Sequence, residues 1–238
     1  MMNYFSDFLK PKVYIYISNK LLALILMASL ILGVSSFYLG IYATPPDFQQ
    51  GENYRIIYIH VTGAWLSLAL YSLVALFSLI YLINKHVLFY LIAKVNALIG
   101  IQFSLITLVT GSLWGRPTWG SFWVWDARLT SVLILFFLYL GYFVIDSAHE
   151  IRIKAMNYSS ILAILGFINI PIIRYSVNWW NTLHQSSSVT QTYITLDLCI
   201  FVPILLCFIG LVGYSISIFF LEIRKNIILH RIEMYYFT

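Results

Sequence analysis

Four of the seven tryptophans in the chain fall within one stretch, Trp114-Gly-Arg-Pro-Thr-Trp-Gly-Ser-Phe-Trp-Val-Trp-Asp-Ala-Arg-Leu-Thr-Ser131. Trp114, Trp119, Trp123 and Trp125 offer flat apolar faces, and Asp126 and Arg128 follow directly. A second stretch, Ser176-Val-Asn-Trp-Trp-Asn-Thr-Leu-His-Gln185, contributes His184, and a third ends at His60 with Arg55 upstream. Indoles bury the faces of a conjugated ring, imidazoles ligate a transition metal, and guanidinium groups bind carboxylates in bidentate fashion. A planar aromatic ligand carrying a metal and carboxylates would use all three. Haem is such a ligand: its iron takes axial imidazoles and its two propionates suit arginines.

Blander explanations fit less well. Tryptophan is enriched wherever a membrane meets water, but such a belt spreads over all span ends and does not gather in one segment. Gly115 and Gly120 within the run permit close backbone approach. A lone loop histidine is ordinarily a solvated side chain, whereas His60 sits beside a long apolar run, where an unpaired imidazole is costly. His60 and His184 are therefore the candidate iron ligands. Arg55, Arg116 and Arg128 are candidates for the propionate end, and Asp126 could orient Arg128 or an indole N–H.

The elements that must position these groups are membrane spans. Of 238 residues 61% are hydrophobic and 10% charged, and the mean hydropathy is +0.86. Soluble domains carry about a quarter charged residues. Six apolar stretches approach or exceed the ~20 residues a bilayer requires, near 21–42, 57–83, 95–113, 129–146, 158–173 and 195–221. Without barrel-like alternation each must be a helix, giving an all-α integral membrane protein, a bundle of six transmembrane helices in a single polytopic domain over 1–238. The fifth stretch is the shortest, and Pro171 makes its end the hardest to fix. Lys10, Lys12, Lys20, Lys85, Lys94, Arg152, Lys154, Arg224, Lys225 and Arg231 fall on one side; Arg55, Arg116, Arg128 and Arg174 fall on the other. The excess of cations places both termini inside and the segments 43–56, 114–128 and 174–194 outside, with 114–128 a tryptophan-rich outer loop. His60 and His184 are then the only outward histidines, since His86, His149 and His230 lie on the inner side. The net charge of +5 reads as topology determinants and not as a nucleic-acid surface. Cys199 and Cys207, within one apolar run, suggest neither a disulfide nor a metal site. The first apolar run is too long for a cleavable signal. Heavy use of Ile, Tyr, Phe and Asn suits an AT-rich organellar genome.

The run WGRPTWGSFWVWD resembles the signature of the haem-handling family named for its Trp-Trp-Asp motif. PPDFQQGENYRIIYIH at 45–60, WDARLTS at 125–131 and VNWWNTLHQ at 177–185 extend the resemblance to the haem exporter protein C branch, which serves the system I pathway of cytochrome c maturation. Larger relatives that ligate haem to apocytochrome typically continue Trp-Asp-Pro, where this chain has Ala127-Arg128-Leu129. Thr62 and Gly63 stand where relatives often have Pro-Ala, so the helix below His60 is open to a different geometry. The resemblance implies His60 and His184 as axial ligands and Trp114 to Arg128 as a haem- and partner-binding surface. It also implies an activity: transiently bound haem b is presented at the outer face to a membrane-anchored haem chaperone, and ATP-binding-cassette transporter subunits release the loaded chaperone. The expected location is the mitochondrial inner membrane, with a bacterial inner membrane as the alternative.

Three other functions fit the residues less well. A haem-translocating subunit of an ABC-type exporter would need polar residues along its spans, and Gln102, Thr107 and Asn169, with Lys94, Asp146 and Asp197 near span ends, are few. An electron-transfer cytochrome b needs histidine pairs near both faces. Ser186, Ser187 and Ser188 after His184 lack the paired acid and oxyanion hole of a hydrolase. A haem-binding and haem-transfer protein, not a conventional enzyme, is the resulting expectation.

Overall fold

A computed structural model describes residues 11–184 and 197–237; Ser186, Ser187 and Ser188 lie outside the described residues. The described residues are all-helical, without a strand. Helix α1 (Pro11–Tyr38) runs on through a π-turn (Leu39–Ala43), and a 3-10 turn (Glu52–Ile56) leads into α2 (Ile57–Asn84). Then come α3 (Val87–Trp119), α4 (Ala127–Ala148), α5 (Arg152–Gly166), α6 (Asn169–Trp179) and α7 (Leu198–Phe237). Six helical segments are long and apolar enough to cross a membrane: Ser18–Ala43, Glu52–Asn84, Val87–Trp119, Ala127–Ala148, Arg152–Trp179 and Leu198–Asn226. The protein is thus a multi-pass membrane bundle. An even number of crossings leaves both described ends of the chain at one end of it.

Two differences from the sequence expectation bear on the site. The third span does not give way to a loop at Trp114. It continues as helix through Pro117 to Trp119 and stops at Gly120, whose φ of 80° puts it in the left-handed region and whose N–H returns to the Arg116 carbonyl at 3.1 Å. The expected loop 114–128 is therefore half helix, and only residues 120–126 connect. The fifth crossing is likewise longer than expected. It breaks at Phe167 and Ile168 and then resumes as α6 through Trp179. Pro171 is the third residue of α6, among the first four whose N–H groups have no intrahelical acceptor, so its missing donor is not felt there. Asn169 steadies the break by donating to the Ser131 carbonyl at 2.8 Å. Below His60 the helix is unbroken; the Thr62 hydroxyl donates to the Tyr58 carbonyl at 2.7 Å.

Helices α2 and α3 form the centre, with α4, α5 and α6 on one side and α7 on the other. Helix α1 packs chiefly on α7. Only 11% of the first span's apolar window is buried, against 50% of the third, so α1 turns most of its surface to lipid. Large tyrosines (Tyr71, Tyr81, Tyr90, Tyr139, Tyr142) fill the core between α2, α3, α4 and α5. At the end where the chain starts and stops, Asp146 on α4 accepts from Lys94 Nζ at 2.6 Å and from the Tyr90 hydroxyl, and Arg152 lies 3.6 Å away. Nearby, Asn157 accepts from Lys85 Nζ at 3.1 Å and from Tyr81 at 3.3 Å.

Candidate functional site

The opposite end holds a cavity of about 320 Å³, open on one side and within the range of small-molecule sites. Two adjacent helices supply much of the wall. On α2 the lining positions Ile57, His60, Val61, Ala64, Trp65 and Leu68 recur at helical spacing. On α3 Thr107, Gly111, Trp114, Thr118 and Trp119 do the same, which is possible only because α3 stays helical past Pro117. Trp123 follows from the 120–126 connection, Arg128 and Leu129 from the start of α4, Ile173 and Arg174 from α6, and His184 from the segment beyond it.

Both histidines line this one cavity, and each has its Nδ1 engaged. His60 Nδ1 lies 3.0 Å from Thr110 Oγ1. The single proton of Thr110 points to the Ile106 carbonyl, 2.6 Å away, so its oxygen is left to accept. The imidazole must then carry its proton on Nδ1, leaving the Nε2 lone pair bare. His184 Nδ1 faces Asp126 Oδ2 at 3.5 Å, and its side chain is 23% exposed. The other carboxylate oxygen of Asp126 caps α4, accepting from the Leu129 N–H at 2.7 Å. Asp126 thus fixes the start of α4 and the face of His184 together. Burial, reinforced by the positive charge of Arg128 and opposed by Asp126, holds the His184 pKa below its ordinary value and favours the neutral, ligating imidazole.

The aromatic walls meet the histidines edge-on. Trp114 packs against His60 with centroids 5.6 Å apart and rings at 80°, and Trp119 against His184 at 4.9 Å and 63°. The Trp114 indole donates to Gln50 Oε1 at 2.6 Å, which fixes its plane. Trp123 packs on Trp125 at 5.7 Å, and its buried Nε1 has no acceptor among the described residues. Gly111 lets the His60 ring lie on the α3 backbone: a Cβ there would stand 2.9 Å from His60 Cε1.

Not every expected residue joins the cavity. Arg55 does not line it. Its guanidinium bonds Glu52, the Gly40 carbonyl and, at 3.1 Å, the Thr44 carbonyl, tying the end of the first span to the start of the second. Trp125 is 76% exposed and borders a separate shallow cleft with Trp180 and Leu183. Arg116 donates to the Gly120 carbonyl at 2.6 Å and lies over Phe122, outside the lining. Conversely, Trp65, Thr110, Gly111 and Arg174 were not singled out from the sequence; helical spacing from His60 and Trp114 would have marked the first three.

The donor set narrows the metal. Among the described residues no group of three or more His, Cys, Asp or Glu is placed to hold an ion. A bare cation wanting four or more protein ligands has no home among them, whereas a metal arriving in its own planar ring needs only two.

Over residues 4–237 the sequence matches the family described as Heme exporter protein C. The chain belongs to that family. It is 51% identical over 193 residues to a ccmC-like mitochondrial protein of cytochrome c biosynthesis from Marchantia polymorpha, covering 81% of this chain and 82% of the relative. It is 38% identical over 228 residues to Heme exporter protein C of Bradyrhizobium diazoefficiens (95% and 86%) and 40% identical over 203 residues to that of Escherichia coli K12 (85% and 82%). A haem-handling membrane protein is what this family membership, the six spans and the cavity describe together.

Proposed function

We propose that the cavity receives haem as cargo, with His60 and His184 as its axial ligands, and that the chain delivers it to a membrane-anchored haem chaperone during cytochrome c biogenesis. The observation that carries this reading is the convergence of His60 and His184 on one tryptophan-walled cavity, each with its Nδ1 beside a polar partner. Thr110 and Asp126 act as positioning residues for the two imidazoles, in the manner of the outer-shell partners of metal-bound histidine. Trp114, Trp119 and Trp123 cover the ring, and Arg128 takes a propionate. Trp125, exposed beside the second cleft, belongs to the surface that meets the chaperone. The excess of Lys and Arg at the opposite end favours an orientation with the cavity outside and both termini inside. The mitochondrial relatives support the mitochondrial inner membrane as its location.

Transfer tests the proposal. The purified chain, loaded with haem, is mixed with the membrane-anchored chaperone and covalent haem on the chaperone is counted. Wild type should load it, His184→Ala should fail, and Trp125→Ala should bind haem yet transfer poorly. Equal loading by wild type and His184→Ala would refute the role given to His184.

A further inference from the structure

The cationic side of the cavity is only partly the one the sequence suggested. Arg174, on α6, lines the cavity with Arg128, at the second position of α4, whereas Arg55 and Arg116 do not. No carboxylate is among the lining residues. Among the described residues neither Arg128 nor Arg174 has an ion pair within 4.0 Å, and Asp126, the nearest acid in sequence, is committed to Leu129 and His184. Arg128 also stands in the first turn of a helix, the positive end of its dipole, where a cation is unfavourable. Arg174 lies exposed near the end of a membrane-spanning segment, so its guanidinium is open to a ligand entering the cavity. Two guanidinium groups thus line one cavity, and among the described residues neither has a carboxylate within ion-pair distance. The same cavity is lined by the apolar side chains of Ala64, Trp65, Leu68 and Val132, which we call its floor.

From this we infer that Arg174 and Arg128 together form a two-carboxylate clamp that orients an amphiphilic dicarboxylate, acidic edge to the arginines and apolar edge to the floor. The inference rests on the haem reading above and deepens it by making Arg174 a specificity-determining residue. Arg128 alone would hold one acid; the second guanidinium separates a diacid from its neutral ester.

The test uses the full chain in detergent and two ligands, haem and haem dimethyl ester, whose propionates are blocked. Affinity is read from the absorption change on titration for wild type, Arg174→Gln, Arg174→Lys and, outside the cavity, Arg116→Gln. Arg174→Gln should weaken haem binding at least about tenfold, the worth of a charge-assisted bond, while changing ester binding less than about twofold. Arg174→Lys, keeping charge but not the planar fork, should fall between, and Arg116→Gln should match wild type. If Arg174→Gln binds haem and ester in the wild-type ratio, or loses both equally with helical content intact, the clamp is wrong. If Arg174→Gln does not fold, Arg174→Lys decides alone: a wild-type preference for haem over ester would overturn the clamp. A wild-type chain that takes up neither ligand would overturn the haem reading itself.

Discussion

At one end of the bundle Asp146 is enclosed by Lys94 at 2.6 Å, Arg152 at 3.6 Å and the Tyr90 hydroxyl; at the other, Arg128 and Arg174 line a cavity without a carboxylate. Both regions place ionisable groups near the ends of apolar helices, where long basic side chains reach the membrane edge. The first pairs its charge internally, and so holds α3, α4 and α5 together. Among the described residues the second leaves two cations without an ion pair and the buried Trp123 N–H without an acceptor, a distribution that a bound ligand would satisfy. The contrast separates a structural polar network from a site.

Mutations sharpen that contrast. The largest effect expected is His60→Ala or His184→Ala: each should abolish six-coordinate haem binding, seen as loss of the wild-type absorption bands, with melting temperature little changed. Asp146→Asn should do the reverse, lowering stability by about 2–3 kcal/mol through the loss of an enclosed ion pair while leaving the haem spectrum intact. Thermal melts in detergent compare the two; a spectral change in Asp146→Asn would break the distinction. Gly111→Ala should fall next, because its Cβ would press on the His60 ring and cost about 1–3 kcal/mol or tilt the imidazole. A weakened and shifted spectrum is expected, and an unaltered one would show that His60 has room to move. Arg55→Ala should lower the melting temperature modestly and leave haem affinity within about twofold, since its bonds tie helix ends together.

The smallest effect is on pH. The folded pKa of His184 lies below its unfolded value, so between the two the unfolded chain binds more protons, and stability falls as pH drops below about 6.5. The ligand-free wild type should therefore lose more melting temperature between pH 7 and 5 than His184→Ala. An identical loss in both would place the titration elsewhere.

Much of this was legible in the residues. Six apolar runs announced six helices, and the grouping of tryptophans with two histidines announced the cavity. What the sequence obscured was continuity. Gly115, Pro117 and Gly120 look like helix breakers, yet only Gly120 ends the helix, so the local sequence suggests a loop and hides the α3 face that carries Thr110 and Gly111. Pro171 misled in the same way, because a proline in a first turn costs nothing. Once α6 is seen to run to Trp179, Arg174 falls on the cavity wall. Arg55 was the opposite case: its proximity to His60 in sequence suggested a site residue, but the carbonyls left open at the end of the first span captured it. Side-chain destinations of that kind depend on the packing of distant segments and leave no local signature.

Axial ligation is most directly read by electron paramagnetic resonance of the ferric, haem-loaded full chain beside its absorption spectrum. Two imidazoles from His60 and His184 give a low-spin signal in wild type that turns high-spin when either becomes Ala. A wild-type signal that both single variants reproduce would mean that the two histidines do not hold the iron.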